Sequence, residues 1–275
     1  MKRLFAFLMS VVSVLHGVTQ RLDVVAFTSS EKSGCVSSYI LTTGRESILV
    51  DAPMCLSDSK RLIDTIHRLN RHITTVFIST AQPAQYLGVS EIKKAFPGIK
   101  IMAAPEVSLE IANSGDKMYA LYKAKLGKEV PAPLELPDTL AGDKVILGNY
   151  SLQTQTFTYG QNRVTTTLYE PKQKMLFAGD IVYGKVHLKL DEQSMQEWIQ
   201  RLRNLTKDNI IDIFPGYGSP GYASLIEECI YYIQTYTRAL ITKDSLAIFD
   251  IMNYYFPGYQ MMEYLKGSVS GSLKY

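Results

Sequence analysis

From residue 22 onward, short apolar runs rich in β-branched residues alternate with stretches where apolar residues recur every three or four positions. Residues 36–41 and 47–50 flank Thr42-Thr43-Gly44-Arg45-Glu46, and a glycine-containing turn between two such runs predicts a β-hairpin. Ser57, Asp58 and Ser59 offer N-caps to a helix that carries Leu62, Ile63, Ile66 and Leu69 on one face. Residues 74–79 read as a buried strand, 89–96 as a helix stopped by Pro97-Gly98, and 99–103 as another strand. The strand-then-helix rhythm is that of a layered α/β unit.

A more polar insert follows at about 106–137, with one or two helices and then prolines at 131, 133 and 137. Strand patterns return at 144–147, 152–157, 164–169 and 175–178, then a helix at 194–205 and a strand at 210–214. The stretch from about 222 to 275 is helical and aromatic, with Tyr231, Tyr232, Tyr236, Phe249, Tyr254, Tyr255, Phe256, Tyr259 and Tyr264. Core and interface packing is the expected use of these rings. No repeat, low-complexity segment or sharp boundary divides the chain, so residues 21–275 are expected to form one domain with a helical C-terminal extension.

The N-terminus changes the picture. Lys2 and Arg3 precede a twelve-residue apolar run, 4–15, and then small and polar residues. A charged start and an apolar run of that length predict a secretory signal peptide over residues 1–20 and an exported, periplasmic or secreted protein. The run is shorter than the ~20 residues of a membrane span, so only an uncleaved leader would anchor the chain. The formal charge of +3 includes Lys2 and Arg3, which leaves the remainder almost neutral and argues against a nucleic-acid groove. Three cysteines, Cys35, Cys55 and Cys229, show no C-x-x-C spacing. Extending the hairpin from a Gly44-Arg45 turn puts Cys35 opposite Met54, next to Cys55. In an oxidising compartment, Cys35 and Cys55 are candidates for a disulfide, with two separate buried thiols as the alternative. Cys229 lies among Ile226, Ile230 and Ile233 and is expected to be a buried thiol.

The order of these elements, with Phe177-Ala178-Gly179-Asp180 and then Pro215-Gly216-Tyr217-Gly218, resembles the metallo-β-lactamase superfamily over roughly residues 34–265. The resemblance implies an α/β fold, an αββα sandwich in which two sheets lie between helices and metals sit at one edge. Ser38-Tyr39-Ile40-Leu41 and Ile48-Leu49-Val50-Asp51 are similar to the family's opening hairpin and its aspartate. Asp180 matches the bridging aspartate. Asp180-Ile181-Val182-Tyr183, His187, Trp198-Ile199 and the segment 255–259 are similar to a periplasmic-type branch.

The metal motif is broken. Where the family has H-x-H-x-D-H, this chain has Thr80, Gln82, Ala84 and Gln85, with the flanking Pro83, Tyr86, Leu87 and Gly88 keeping register. Gln161 stands at the next histidine position and Tyr217 at the last, so only Asp180 survives. A catalytic zinc takes about three protein ligands from thiolate, imidazole and carboxylate. Amides and a threonine hydroxyl are weak donors to it. Without the metal nothing lowers the pKa of a bound water towards ~7. The expectation is therefore a non-catalytic binding or assembly component without a cofactor, taking a protein partner or small ligand that the sequence does not name. The alternative is a hydrolase with an atypical or metal-independent site built on Asp180, His187 and Tyr217; a calcium or magnesium site on one carboxylate is less favoured still. Asp51 and His187 are candidate cleft-lining groups. His67 and His72 are expected to be solvated.

Overall fold

The computed structural model describes residues 21–44, 46–133, 135–159, 163–205 and 209–273. Residues 1–20, the expected signal peptide, and Gln161 lie outside the described residues. Among the described residues, no helix is long and apolar enough to cross a membrane.

Twelve described strands form two six-stranded sheets. The first runs β1 (Asp23–Thr28), β2 (Ser37–Thr43), β3 (Glu46–Val50), β4 (His72–Ile78), β5 (Lys100–Ala103) and β6 (Asp138–Thr139) in that spatial order. The second holds β7 (Lys144–Leu147), β8 (Tyr150–Tyr159), β9 (Arg163–Glu170), β10 (Met175–Gly184), β11 (Asp212–Gly218) and β12 (Gly221–Tyr222), again neighbour to neighbour. Helices α1 (Leu56–Arg68), α2 (Pro83–Tyr86), α3 (Val89–Ala95) and α4 (Pro105–Leu126) belong to the first half. Helices α5 (Met195–Leu205), α6 (Ser224–Ala239), α7 (Ser245–Tyr255) and α8 (Met262–Ser272) belong to the second.

Strand periodicity explains the layering, because successive side chains point to opposite faces. Leu41, Ile48, Val50, Phe77, Met175 and Phe177 meet in the core between the two sheets. Their neighbours Ile40, Leu49, Val76 and Ile78 turn the other way and pack on Leu62 and Ile66 of α1, Val89 and Ile92 of α3, and Val107 of α4. Leu176 and Ala178 likewise face Trp198 and Leu202 of α5 and the C-terminal helices. Strands buried on both faces read as nearly unbroken apolar runs, which is how they look in the sequence. The result is the expected αββα sandwich.

The hairpin has the expected register, with Thr43 opposite Glu46 and Tyr39 opposite Val50. The ladder then stops. Asp51 adopts a left-handed φ of 59° and turns the chain away. Cys35 is drawn instead to β11, where Gly218 N–H donates to its carbonyl at 2.9 Å, and Cys55 starts α1. Cys35, Cys55 and Cys229 are all buried free thiols, which corrects the expected Cys35–Cys55 bond. The insert holds a single 22-residue helix, α4, before the proline stretch, within the one or two expected. Two further details differ from the sequence reading. β1, paired with β2, gives no clear signal in its short mixed pattern. The N-cap of α1 is Cys55 rather than one of Ser57, Asp58 or Ser59.

Asp58 is instead a tether. Its buried carboxylate accepts from Ser30 N–H (3.2 Å), Ser30 Oγ (2.6 Å) and Ser33 Oγ (2.7 Å), and it pairs with Arg61 at 2.7 Å. Burial pushes its pKa up, but these donors outweigh it and hold the group below the ordinary carboxylate value. Asp58→Ala should cost about 2 kcal/mol in denaturant unfolding, because the buried Ser33 hydroxyl loses its acceptor inside the fold and the bonds to Ser30 are lost with it. Arg61→Ala should cost less than about 1 kcal/mol, since the guanidinium is largely exposed. Equal losses in the two variants would contradict this assignment.

Candidate functional site

The two sheets are stitched together at one edge, and the candidate site lies on that seam. Thr80 bridges to Thr165, and Val36 bridges to Tyr217. Thr166 N–H donates to the Ser79 carbonyl at 2.7 Å, and Tyr39 Oη donates to the Pro215 carbonyl at 2.6 Å. The seam thus joins the ends of β2, β4, β9 and β11. Two buried carboxylates flank it.

Asp51 is the first. Its carboxylate accepts from Ser79 N–H (2.7 Å), Ser79 Oγ (2.6 Å) and Gln85 Nε2 (3.1 Å). Those bonds favour the charged form, yet burial dominates, and with the nearby charge of Asp180 it lifts Asp51 to about 7. Gln85 is fully buried and anchors the loop both ways, because Ala52 N–H donates to its carbonyl at 2.9 Å. A side chain at Gly216 would place its Cβ 2.8 Å from Gln85 Nε2 and 2.3 Å from the Gly179 carbonyl, so glycine there leaves room for the amide.

The neighbouring positions are committed internally as well. Thr80 Oγ1 donates to the Val164 carbonyl at 2.8 Å. Gln82 is the N-cap residue of α2, with its carbonyl accepting from Gln85 N–H at 2.9 Å. Ala84 packs into the core shared with Val36 and Ala178. None of these side chains presents the imidazole or carboxylate that a metal would need.

Asp180 is the second carboxylate, at the seam within β10. Its carboxylate accepts from Tyr183 Oη at 2.7 Å; Tyr159 Oη donates to its main-chain carbonyl at 2.8 Å and lies 3.3 Å from Oδ2, while the Asp180 N–H donates to Thr165 Oγ1 at 3.0 Å. Gly179 before it has a φ of 53°, and a Cβ there would lie 2.4 Å from that same hydroxyl. Tyr217, fully buried, stacks on Tyr183 with ring centroids 4.6 Å apart. An aromatic side chain therefore fills the place of the last histidine.

Two cations complete the site. The Arg163 guanidinium lies 5.8 Å from the Tyr159 ring and 5.6 Å from the Trp198 ring. Burial works against its charge, but Tyr159 and Asp180 outweigh that and keep it firmly protonated. Lys189 Nζ donates to Tyr217 Oη at 3.0 Å and sits over the rings of Tyr217 (4.5 Å) and Tyr264 (4.2 Å). Burial lowers Lys189 to about 8, with Asp180 opposing the fall and Arg163 adding to it.

His187 is not part of this cleft. It is fully buried among the C-terminal aromatics, with Nδ1 2.8 Å from Tyr232 Oη and its ring 5.7 Å from that of Tyr259. Burial depresses it to about 4. This corrects its assignment as a cleft-lining group. His67 and His72 are exposed, as expected. The C-terminal rings divide: Tyr232, Tyr236 and Phe256 are buried, whereas Tyr231, Tyr254 and Tyr255 are exposed.

The model of the metallo-β-lactamase superfamily matches residues 34–217, about two-thirds of the chain. The chain belongs to that superfamily. None of the curated proteins matches it. Among solved structures it is similar to a β-lactamase domain protein from Burkholderia ambifaria, at 12% identity over 91% of this chain and 84% of that one, with a TM-score of 0.65. A metallo-β-lactamase family protein from Thermus thermophilus matches at 15% identity over 91% of both chains, TM-score 0.62. A metallo-β-lactamase from Pontibacter korlensis matches at 18% identity over 78% of this chain and 99% of that one, TM-score 0.55. At these identities the likeness is one of fold.

The superfamily's metals do not fit the residues present. Among the described residues, no group of three or more His, Cys, Asp or Glu side chains is placed to hold an ion. The chain is a degenerate member lacking the metal-binding histidines. The sequence reading located Asp51, Asp180 and the replaced positions but missed Arg163, Lys189, Tyr159 and Tyr183. Arg163, Lys189 and Tyr159 read as ordinary strand or loop residues that only the folded seam brings around Asp180, whereas Tyr183 follows Asp180 by three residues in a segment noted only as family-like.

The two strongly shifted groups predict opposing pH effects. Between pH 6.5 and about 4 the unfolded chain binds a proton at His187 that the folded chain does not, so stability is lost as pH falls. Asp51 binds its proton near 7 when folded and near 3.8 when unfolded, so its contribution is present at low pH and lost as pH rises. Each effect is on the order of 3–4 kcal/mol over its whole window. Relative to wild type, Asp51→Asn should lose melting temperature from pH 6.5 to 4.5, and His187→Gln should gain it. Melting differences that do not change with pH in either variant would refute the shifts.

Proposed function

We propose that this chain is a non-catalytic member of the superfamily that uses the fold as a binding or assembly component. The observation that carries the reading is the reuse of the former metal positions. Thr80, Gln85 and Tyr217 are engaged in bonds and stacking within the protein, and Ala84 is in a core. The charge a metal would supply near Asp180 comes instead from Arg163 and Lys189. A guanidinium and an ammonium balance a carboxylate, but neither generates hydroxide at neutral pH, which is the metal's chemical contribution in a hydrolase.

The alternative, a hydrolase working through Asp180, His187 and Tyr217, loses support because His187 lies in the C-terminal aromatic packing. Its neutral ring pairs with Tyr232 rather than with a nucleophile. Export is proposed on the Lys2-Arg3 start and the apolar run over residues 4–15. Taken with the reuse of the metal positions, export would put the binding role outside the cytoplasm.

The purified full chain, dialysed without chelator, should carry no stoichiometric zinc, iron or manganese by mass-spectrometric metal analysis. Hydrolysis of β-lactams, lactones, thioesters and phosphodiesters should stay at background. Near one equivalent of zinc, or turnover abolished by Asp180→Asn, would overturn this reading.

A further inference from the structure

The cleft contains charge and donors in excess of what its own acceptors use. Arg163 Nη1 is shielded from solvent and has no hydrogen-bond partner. A buried donor on a charged group left unpaired costs more than a neutral one, on the order of several kcal/mol, so such a group marks a place where a partner belongs. Lys189 carries three N–H donors, and the bond to Tyr217 Oη occupies one of them. Tyr217 Oη accepts that bond, which leaves its own proton to give. These groups sense one another electrostatically: Arg163 acts on both Lys189 and Tyr217, and Asp180 acts on all three.

Charge counting sets the kind of partner. Arg163 and Lys189 bring two positive charges to the cleft and Asp180 one negative charge, whose oxygens already accept from Tyr183 and Tyr159. No ion pair within 4 Å ties Arg163 or Lys189 to a carboxylate among the described residues. Asp51, lifted to about 7 and so only partly ionised near neutral pH, offsets a part of the remainder and leaves the cleft with a net positive charge of less than one. A flat guanidinium matches a carboxylate or other oxyanion with two parallel N–H donors, whereas an ammonium offers a point charge. Tyr183 and Tyr217 fill the cleft floor with stacked rings, so only a small head group can enter. Arg163 and Lys189 each stay partly exposed, which gives that head group a way in.

We propose that the former metal cleft is an anion site, in which Arg163, Lys189 and the Tyr217 hydroxyl bind the carboxylate of a small monoanionic ligand beside Asp180. The assignment rests on the non-catalytic reading above and gives it a ligand chemistry. The site exchanges a family of metal ligands, which are acceptors, for a set of donors. What it selects changes sign accordingly.

Trp198, the single tryptophan of the chain, reports on the site because Arg163 and the rings of Tyr159 and Tyr183 all lie against it. The test titrates the full chain with sodium acetate, sodium phosphate and sodium chloride at constant ionic strength, reading Trp198 emission and melting temperature. Acetate should give a saturable change in emission and a rise in melting temperature that chloride does not reproduce. Arg163→Gln and Lys189→Gln should each weaken acetate binding at least tenfold with circular dichroism unchanged. Arg163→Lys keeps the charge without the fork and should weaken it too, so the assignment stays testable if Arg163→Gln does not fold. Absence of a saturable acetate effect on the wild-type chain would overturn the site. So would phosphate binding more tightly than acetate, or variants that respond as wild type does. Parallel titration with zinc separates the two readings: stoichiometric zinc overturns the non-catalytic reading, whereas metal-free protein indifferent to acetate overturns the anion site alone.

Discussion

A carboxylate taken out of water needs a counter-charge or several donors, and this protein buries two of them at the seam of its sheets. In a metal-binding relative, cations at such a place would supply the balance. Here the protein supplies it from its own chain. Asp51 takes the backbone and hydroxyl of Ser79 and the amide of Gln85; Asp180 takes the phenols of Tyr159 and Tyr183, with Arg163 and Lys189 nearby. Most of the site's unusual features follow from that requirement. Gln85 is buried because Asp51 needs its donor, and Gly216 is small because the Gly179 carbonyl, with the Gln85 amide beside it, needs the room.

The same replacement fills the floor of the cleft. Tyr217 is larger than the histidine it stands for, and its stacking on Tyr183 with Lys189 over its ring puts packed aromatic structure at that ligand position. Thr80 converts another ligand position into a cross-sheet bond to Val164. These exchanges keep the two sheets in register without a metal. They also explain how a chain can lose histidines at separated positions and keep the fold, since Thr80, Gln85 and Tyr217 have each acquired a local structural use.

Fold does not determine function, and a sandwich shared with metallo-β-lactamases carries no substrate by itself. What the site permits is narrower and can be stated in chemical terms. It holds donors, cations and aromatic rings where the family's chemistry calls for imidazoles and a coordinated hydroxide. That composition suits recognition of a negatively charged group.

Much of the architecture was legible in the chain. The hairpin register, the βαβ order, the apolar runs buried on both faces and the loss of the metal motif at residues 80–85 and 217 are local patterns, and local patterns survive translation into structure. Positions set by long-range contacts were not legible. Asp51 turns left-handed to meet Ser79 and Gln85, so extending the hairpin to Cys35 and Cys55 failed. His187 follows Asp180 by only seven residues, yet its backbone pairs with Gln260 and its ring joins Tyr232, so closeness in sequence misled. Arg163, Lys189 and Tyr159 carry no motif; each is one residue of a strand or loop, and their shared meaning with Tyr183 arises when the sheets close around Asp180. Sequence determines which groups a chain owns and the period in which they repeat, whereas burial, charge partners and the direction of each side chain at the seam are products of contacts between distant segments.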